Sequence, residues 1–314
     1  MKTGILTLTM NPAVDLFTTT EQVRPTHKLR CGAALMHPGG GGINVARVLA
    51  RLDADVLALY PAGGITGDRL DALLAGEQVP TQRVRIAGET RESFTAHEAS
   101  TGRDWRFVLP GPALSAAEWQ ACLDIAADTP VRSGLVVASG SLPPGAPEDF
   151  YAQLARRLAA RGVRLCVDSF GPALAAALHA GVHLVKPSLR ELAEHAGSPL
   201  ASPAEQLAAC RYLVDQGRAE IVALSLGEQG ALLVTATQAW HAGALDVDIA
   251  STVGAGDSFL AGLVLALARG ASCDAALGQG IAASAAALLT SGTALCRPED
   301  VRRLLPQVRV QALR

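Results

Sequence analysis

The sequence predicts an α/β fold in which helices flank a doubly wound, mostly parallel sheet, with a small second β-sheet that serves as a lid. Short apolar runs such as "DVLALY" alternate with amphipathic stretches such as "GINVARVLARL", the pattern of strands followed by helices. The strand runs are apolar at successive positions, so the sheet is expected to be covered on both faces. Two segments, residues 13–36 and 86–109, lack helical periodicity and are expected to form the lid.

Length and composition set the broad class of the protein. A chain of 314 residues with no long linker or repeat predicts a single domain over residues 1–314. Hydrophobic residues make up 49% and charged residues 18%, enough apolar material for a sizeable core. The net charge of −2 includes no basic excess, so neither nucleic acid nor a membrane surface is expected as a partner.

Three features predict a cytoplasmic location. The stretch "MKTGILTLTMNPAVD" is not expected to be a signal peptide, because Asn11 and Pro12 interrupt its short apolar run. The apolar stretch "FLAGLVLALA" is well short of the about 20 residues that a membrane-spanning helix needs. None of the six cysteines forms a C-x-x-C motif, so buried free thiols are expected rather than disulfides or a zinc site.

The densest motif is "STVGAGDSFLAGLVLALA", residues 251–268, in which Gly254, Ala255 and Gly256 lead into Asp257 at the start of an aliphatic helix. Unpaired amides at a glycine-lined helix start form an anion hole, reinforced by the helix dipole. Asp257 is placed to accept a proton from an attacking hydroxyl during phosphoryl transfer. The alternative is that Asp257 merely caps the helix, which leaves the two adjacent glycines unexplained.

Several other catalytic motifs are absent from the sequence. It contains no G-x-x-x-x-G-K-[ST] phosphate loop, and Phe259 stands where the dinucleotide fingerprint needs its third glycine. Neither G-x-S-x-G nor H-E-x-x-H occurs, so serine hydrolases and zinc proteases lack support.

A second glycine-rich motif, "HPGGGGINVARVLARL" at residues 37–52, indicates a sugar site. Gly40 and Gly41 let a ligand approach the backbone, and Asn44 offers both a donor and an acceptor, as sugar hydroxyls require. Asp15, after an Asn-Pro turn, is a further acceptor for a polyol. A tight turn and a lone surface carboxylate are the alternatives.

Basic residues in the lid segments are candidates for holding a substrate phosphate. Lys28, Arg30 and Arg91 are the stronger candidates, and Arg103 and Arg106 the weaker ones. Each of them taken singly has the ordinary explanation of a solvated surface charge, and only together, beside the glycine-lined pocket, do they indicate a phosphate site.

Two segments have the character of a nucleotide site at the carboxyl ends of strands. "VKPSLRELAE" places Lys186 and Ser188 at a strand end and Glu191 one turn into a helix, and "LSLGEQGALLV" turns through Gly227 and Gly230. Either motif alone is weak support.

The motifs GAGD, GGGGINVA, SGSLPPG and KPS together resemble those of the ribokinase superfamily, in its PfkB branch, and the resemblance runs from "LTLTMNPAVD" to "SGTALCRPED". Within the branch the motifs are most similar to those of the minor 6-phosphofructokinases. The resemblance implies ATP-dependent phosphorylation of the 1-hydroxyl of fructose 6-phosphate. A 1-phosphofructokinase or tagatose-6-phosphate kinase is the alternative. A non-catalytic sugar-binding regulator is a remote one, disfavoured by the presence of Asp257.

The resemblance also implies roles for individual residues. Asp257 matches the catalytic base, and Gly254, Ala255 and Gly256 match the anion hole. The sugar-site positions are Asp15, Gly40, Gly41, Asn44 and Ser139. The 6-phosphate positions are Arg91, Lys28 and Arg30, with Lys28 expected from a neighbouring subunit. The lid matches the surface through which family members form homodimers.

The remaining implied roles concern ATP and its metals. The nucleotide positions are Lys186, Ser188, Ser225, Gly227, Gly230, Thr252, Ile281 and Ala285. Glu191 matches the residue that orients hydrated Mg²⁺, and Ser251, Val253, Ala287, Thr290 and Gly292 match a loop for a monovalent cation such as K⁺. Ser188 is a departure, because the family usually has Asn after Lys-Pro, and this shorter side chain predicts weaker nucleotide or metal contacts or an intervening water.

Overall fold

The computed structural model describes residues 4–313 and builds them into two sheets with surrounding helices. The strands are β1 (Ile5–Leu8), β2 (Ala13–Thr20), β3 (Leu35–Gly39), β4 (Val56–Ala62), β5 (Thr81–Arg85), β6 (Arg91–Glu98), β7 (Arg103–Val108), β8 (Leu135–Ser139), β9 (Arg164–Asp168), β10 (Val182–Val185), β11 (Ala219–Ser225), β12 (Ala231–Val234), β13 (Ala239–Ala242) and β14 (Val310–Leu313). The helices are α1 (Gly41–Arg51), α2 (Gly64–Gly76), α3 (Ala116–Asp128), α4 (Phe150–Ala159), α5 (Gly171–Ala180), α6 (Leu189–Ala196), α7 (Pro203–Asp215), α8 (Ala255–Ala268), α9 (Cys273–Leu288) and α10 (Pro298–Leu304).

The large sheet has ten strands in the order β14-β13-β12-β11-β10-β9-β8-β1-β4-β5. All neighbours from β11 to β5 are parallel, whereas β12, β13 and β14 add an antiparallel edge. This confirms the predicted mostly parallel sheet. Its carboxyl ends therefore converge on one edge, where α/β proteins bind ligands.

Apolar side chains leave the large sheet on both faces, because successive residues of a strand point in opposite directions. On β8 and β9, Val137 and Cys166 pack in the cluster formed with α1, α8 and α9. Their neighbours Val136 and Val167 pack in the opposite cluster, with α3, α4, α5 and α7. Because both faces of these strands are buried, their sequences are apolar at successive positions.

The small sheet has the strand order β3-β2-β6-β7 and combines both predicted segments. Strands β2 and β6 are parallel, and β6 and β7 form a hairpin that turns near Thr101 and Gly102. Strand β3 continues to Gly39, beyond the predicted limit at residue 36, because His37 and Gly39 pair with β2. The glycine run before α1 therefore follows a strand of the small sheet rather than one of the large sheet.

The helices and the cysteines bear on two further expectations from the sequence. None of the helices between residues 4 and 313 combines the length and apolar character of a membrane span. The cysteines are free thiols, of which Cys122, Cys166, Cys210 and Cys296 are buried. Burial was expected of the group, but Cys31 is exposed, because it lies in the open segment between β2 and β3.

Candidate active site

The carboxyl ends of β8 and β9 and the starts of α1, α6 and α8 surround a cavity of about 300 Å³, which the small sheet borders. The predicted site residues that line it are Asp15, Gly40, Gly41, Asn44, Arg91, Ser139, Glu191, Thr252, Val253, Gly254 and Asp257. Arg106, a weaker candidate from the sequence, also lines it, together with the unpredicted residues Ser93, Val108, Gly140, Asp168, Ser169 and Phe170. A larger cavity of about 470 Å³ between α5, α6 and α7 contains none of the glycine-rich motifs.

Asp257 stands in the first turn of α8 and is half-buried at the cavity wall. The amide Nδ2 of Asn44 donates a hydrogen bond of 2.8 Å to its Oδ2. Burial raises the pKa of the Asp257 carboxyl, while the Asn44 hydrogen bond and the charge of Lys186 oppose that rise. The other carboxylate oxygen, Oδ1, is not used by Asn44. The carboxylate is thus oriented on one side and basic enough to accept a proton.

The glycines before Asp257 have different structural reasons. Gly254 has φ 78°, a left-handed conformation, and a Cβ there would overlap Cδ2 of Leu295. Gly256 has no such restriction, and a Cβ on it would lie 3.7 Å from Nζ of Lys186. The amide of Ala255 donates to the carbonyl of Thr252 at 3.5 Å, whereas those of Gly256 and Asp257, in the same first turn, have no carbonyl partner within the helix and lie near the Lys186 ammonium group. The combination suits an anion such as a phosphoryl group.

Asp168, at the end of β9, is a site residue that the sequence reasoning missed. Its Oδ1 lies 3.1 Å from Nζ of Lys186, and the Ser139 hydroxyl donates to its Oδ2 at 3.3 Å. Burial raises its pKa to about 6, against the opposing charge of Lys186. Its place at the end of the apolar run "VRLCVDS" was the signal that could have found it.

On the small sheet, Asp15 is the third residue of β2, which begins directly after Asn11 and Pro12. Burial raises the pKa of its carboxyl, and Arg106 and Arg91 oppose that rise by their charge. Arg91 donates to the carbonyls of Leu109 at 3.0 Å and Asn11 at 2.9 Å, whereas Arg106 is exposed. Arg106, a weaker candidate from the sequence, is therefore the freer of the two cations at the cavity.

Lys28 and Arg30 do not line the cavity. Both are exposed in the segment between β2 and β3, and the carbonyl of Arg30 accepts a hydrogen bond from Thr20 at the far end of β2. Thr20 is five residues along the strand from Asp15, a span of about 16 Å. Within one chain, neither side chain joins the predicted cluster with Arg91.

The glycines of the second motif allow close approach between the two sheets. Gly40 has φ 109°, and a Cβ on Gly41 would overlap Oγ of Ser139. A methyl group at Gly41 would separate α1 from the end of β8. These contacts place Asn44, in the first turn of α1, beside Asp257 on α8.

Ser188 makes a specific contact at the start of α6. Its hydroxyl accepts from the amide of Glu191 at 3.3 Å, and its own amide donates to Glu191 Oε2 at 2.7 Å. This reciprocal capping box starts α6 and orients the carboxylate of Glu191 at the cavity. Ser188 therefore acts on Glu191 and on the helix start.

The remaining predicted nucleotide positions lie outside the cavity lining. Ser225 pairs with Ser188 in an isolated β-bridge. Gly227 and Gly230, at φ 60° and 88°, form the tight turn between β11 and β12. Ile281 and Ala285 are buried in α9.

The residues predicted for the cation loop lie in two segments: the one before α8, and the carboxyl end of α9 with the residues that follow it. Ser251 is buried and its hydroxyl accepts from the amide of Val253 at 3.2 Å. The Thr290 hydroxyl lies 2.9 Å from the carbonyl oxygen of Ala287. Gly292 and Val253 border a small cavity in which the hydroxyl of Thr293 is buried without a hydrogen-bond partner in residues 4–313.

Comparisons with known proteins agree with this architecture. The ATP-dependent 6-phosphofructokinase isozyme 2 of Mycobacterium tuberculosis is 48% identical over 96% of this chain and 89% of its own length. The isozyme 2 of Escherichia coli is 41% identical over 96% and 97%. A 1-phosphofructokinase of Xanthomonas campestris is 35% identical over 98% and 95%.

Solved structures of Escherichia coli phosphofructokinase-2 have the same fold. The complex with potassium superposes with a TM-score of 0.93 at 40% identity, over 97% of this chain and 99% of the other. The complex with fructose-6-phosphate superposes with a TM-score of 0.91 at 39% identity and the same coverage.

The fold and the cavity define a carbohydrate kinase of the ribokinase-like class, a phosphotransferase. The family model described as pfkB family carbohydrate kinase matches residues 6–300, and the chain belongs to that family. The resemblance found in the sequence is thereby confirmed.

The two glycines flanking Ala255 provide a first test. Gly254→Ala is expected to lower the free energy of unfolding by about 1–3 kcal/mol, because its Cβ meets Leu295 in a strained conformation. Gly256→Ala is expected to fold normally but to lower kcat/KM by about 100-fold, since its methyl intrudes at the helix mouth. Urea denaturation and kinase assays measure both. A Gly256→Ala enzyme with parental kcat/KM would show that the anion does not bind there.

Proposed function

We propose that the protein is a 6-phosphofructokinase, which transfers the terminal phosphoryl group of ATP to the 1-hydroxyl of fructose 6-phosphate. The observation that carries the proposal is the placement of Asp257, Asn44 and Asp15 around one cavity bordered by Arg91 and Arg106. The names of the relatives from Mycobacterium tuberculosis and Escherichia coli support it. So does the fructose-6-phosphate in the Escherichia coli structure.

The proposed proton acceptor is Asp257. Its Oδ2 is held by Asn44, so Oδ1 takes the proton as the 1-hydroxyl oxygen forms its bond to the γ-phosphorus and the bond to the β-phosphate oxygen breaks. The raised pKa of the half-buried carboxyl makes it a stronger base than an exposed aspartate. The amides of Gly256 and Asp257 in the first turn of α8 are proposed to stabilise the charge that develops on the transferred group.

The phosphate of the sugar is proposed to lie against the cations of the small sheet. Arg106 is exposed at the cavity and Arg91 is anchored to two backbone carbonyls. A guanidinium fork suits a phosphate better than an ammonium group does. Asp15, on the same sheet, is proposed to accept a sugar hydroxyl.

The residues present fit the metals that the family implies. Mg²⁺ prefers oxygen ligands, keeps several waters and needs few protein carboxylates, so Glu191, oriented by Ser188, would hold it with the phosphates of ATP. Bound Mg²⁺ would offset phosphate charge. K⁺ would be held by the oxygens around Ser251 and Thr290, where the unpartnered Thr293 hydroxyl indicates a further polar contact.

The assignment of the base has a direct test. Asp257→Asn is expected to lower kcat by about 10²–10⁴-fold, because it removes the proton acceptor but keeps the shape. ATP affinity, measured by calorimetry, should stay near that of the parent. Asp248→Asn, at an exposed aspartate, is the control and should keep parental turnover. Turnover of Asp257→Asn within about tenfold of the parent would show that another group accepts the proton.

The sugar specificity is tested with a panel of acceptors. ADP release should be fastest with fructose 6-phosphate, compared with fructose 1-phosphate and tagatose 6-phosphate. A preference for fructose 1-phosphate would instead assign the activity of the Xanthomonas campestris relative.

The phosphate contact is tested on the small sheet. Arg106→Ala is expected to raise the KM for fructose 6-phosphate by about 10- to 100-fold through loss of a charge-assisted hydrogen bond. Arg103→Ala is the matched control, because Arg103 lies on the same strand but pairs with Glu98 at the hairpin end, away from the cavity. Equal effects of both substitutions on KM would contradict a specific contact at Arg106.

We also propose a cytoplasmic homodimer that forms through the small sheet. The large apolar side chains exposed on this sheet and its flanks are Leu35, Met36, Phe94, Trp105, Phe107, Val108 and Leu109. The rings of Phe94 and Phe107 lie next to each other, with centroids 6.2 Å apart. A contiguous apolar surface of this kind favours association with a second copy. In such a dimer Lys28 of the second copy is available to the cavity.

Phe107→Asp is expected to convert the dimer to a monomer, because Phe107 is 55% exposed and a charge there opposes burial. Analytical ultracentrifugation at micromolar concentration measures the mass. Tyr212→Asp, at a more exposed aromatic residue on α7, is the control and should leave the dimer intact. A parent enzyme that sediments as a single chain would contradict the proposal.

A further inference from the structure

Arg47 is a fully buried cation on α1 that does not line the cavity. Its guanidinium is held on one side by Glu77, which follows α2. Nε lies 3.0 Å from both carboxylate oxygens, and Nη2 lies 2.6 Å from Oε1. A buried guanidinium that binds one carboxylate through two of its nitrogens has a defined orientation. Arg47 is therefore a rigid group one helical turn from Asn44.

The other side of the guanidinium contacts the site. Nη1 donates to the carbonyl of Pro38 at 3.0 Å and to Oδ1 of Asn44 at 3.1 Å. A guanidinium has donors and no acceptor, so the atom of Asn44 that faces it must be the carbonyl oxygen. The amide nitrogen of Asn44 must then point the opposite way, where it donates to Asp257 Oδ2 at 2.8 Å.

We infer that Arg47, held by Glu77, is a positioning residue for the reaction: it sets the orientation of the Asn44 amide and, through it, that of the Asp257 carboxylate. The inference rests on the proposed function, in which Asp257 accepts the proton. With Oδ2 held by Asn44, Oδ1 is presented to the acceptor hydroxyl. Released from Arg47, the Asn44 amide turns between two orientations, one of which sets its carbonyl oxygen against the carboxylate.

Other charged groups also act on Asp257. Lys186 and Asp168 face it from the ends of β10 and β9, and Asp15 and Arg106 face it from the small sheet. A substitution that keeps the charge at position 47 leaves these long-range interactions in place. Lysine meets this condition, but its single ammonium cannot reach Glu77, Pro38 and Asn44 together in the fork geometry.

The test is Arg47→Lys in the full-length enzyme. The Asn44 hydrogen bond favours the charged carboxylate and so lowers the pKa of Asp257; its partial loss raises that pKa. Because the base must be deprotonated, the acidic limb of the kcat–pH profile should move to higher pH by about one unit. At neutral pH kcat should fall by about tenfold, because the Asp257 carboxylate loses its fixed orientation. The KM for ATP should stay within about twofold of that of the parent.

Arg51→Lys is the matched control. Arg51 lies one turn further along α1 and binds the same Glu77 through Nη2 at 2.7 Å, but its other contacts are the carbonyls of Ala294 and Cys296. It should lower thermal stability without moving the acidic limb. A shift of the limb in Arg51→Lys equal to that in Arg47→Lys would overturn the inference.

A double-mutant cycle tests whether Arg47 acts through Asn44. Asn44→Ala should move the acidic limb by itself, and adding Arg47→Lys should then change kcat little further. Fully additive effects would overturn the inference. If Arg47→Lys fails to fold, Glu77→Gln, which keeps Arg47 but loosens its anchor, takes its place and should shift the limb in the same direction.

The two levels of the hypothesis fail separately. An Asp257→Asn enzyme with near-parental turnover would refute Asp257 as the proton acceptor and the positioning role of Arg47 with it, whereas the proposed function fails only if the acceptor panel shows no preference for fructose 6-phosphate. An inactive Asp257→Asn enzyme combined with an unshifted limb in Arg47→Lys would refute the positioning role and leave the function standing.

Discussion

Charges withdrawn from water need a partner, and this requirement organises the carboxyl edge of the large sheet. Asp168 and Lys186 are buried side by side and form an ion pair, and Arg47 is buried against Glu77. Removing one member of such a pair leaves an unpaired charge that costs several kcal/mol. The strands, the helix starts and the glycine turns therefore have to meet in one arrangement, and that arrangement leaves Asp257 at the cavity with its neighbours already in place.

The parts of the structure that could be predicted have local causes. Two-sided apolar strands indicate a parallel sheet, and glycines before Asp257 indicate a helix start that approaches a ligand. Residues whose roles depend on partners far away in the sequence could not be found from local patterns. Asp168 matters because β10 brings Lys186 beside it, and Arg106 differs from Arg103 only by its register on the hairpin. Strands β13 and β14 are short and form an antiparallel edge, so their sequences have little periodicity.

Ser188 shows how a departure from a family pattern acquires a physical explanation. The sequence predicted a weaker contact because serine is shorter than asparagine. In the structure its hydroxyl and amide form a reciprocal cap with Glu191, so the shorter side chain suits a helix start. The carboxylate of Glu191 lines the cavity, and its orientation depends on that cap.

The two sheets divide the cavity between them. Asp257, Ser139 and Asp168 belong to the large sheet and its helices, whereas Asp15, Arg91 and Arg106 belong to the small one. Under the proposed function the small sheet contacts the acceptor, so substitutions there would alter which acceptor is recognised and leave the donor half untouched. Such separability would give natural variation a route to new substrates, and the relatives of this chain include proteins named 6-phosphofructokinase and 1-phosphofructokinase.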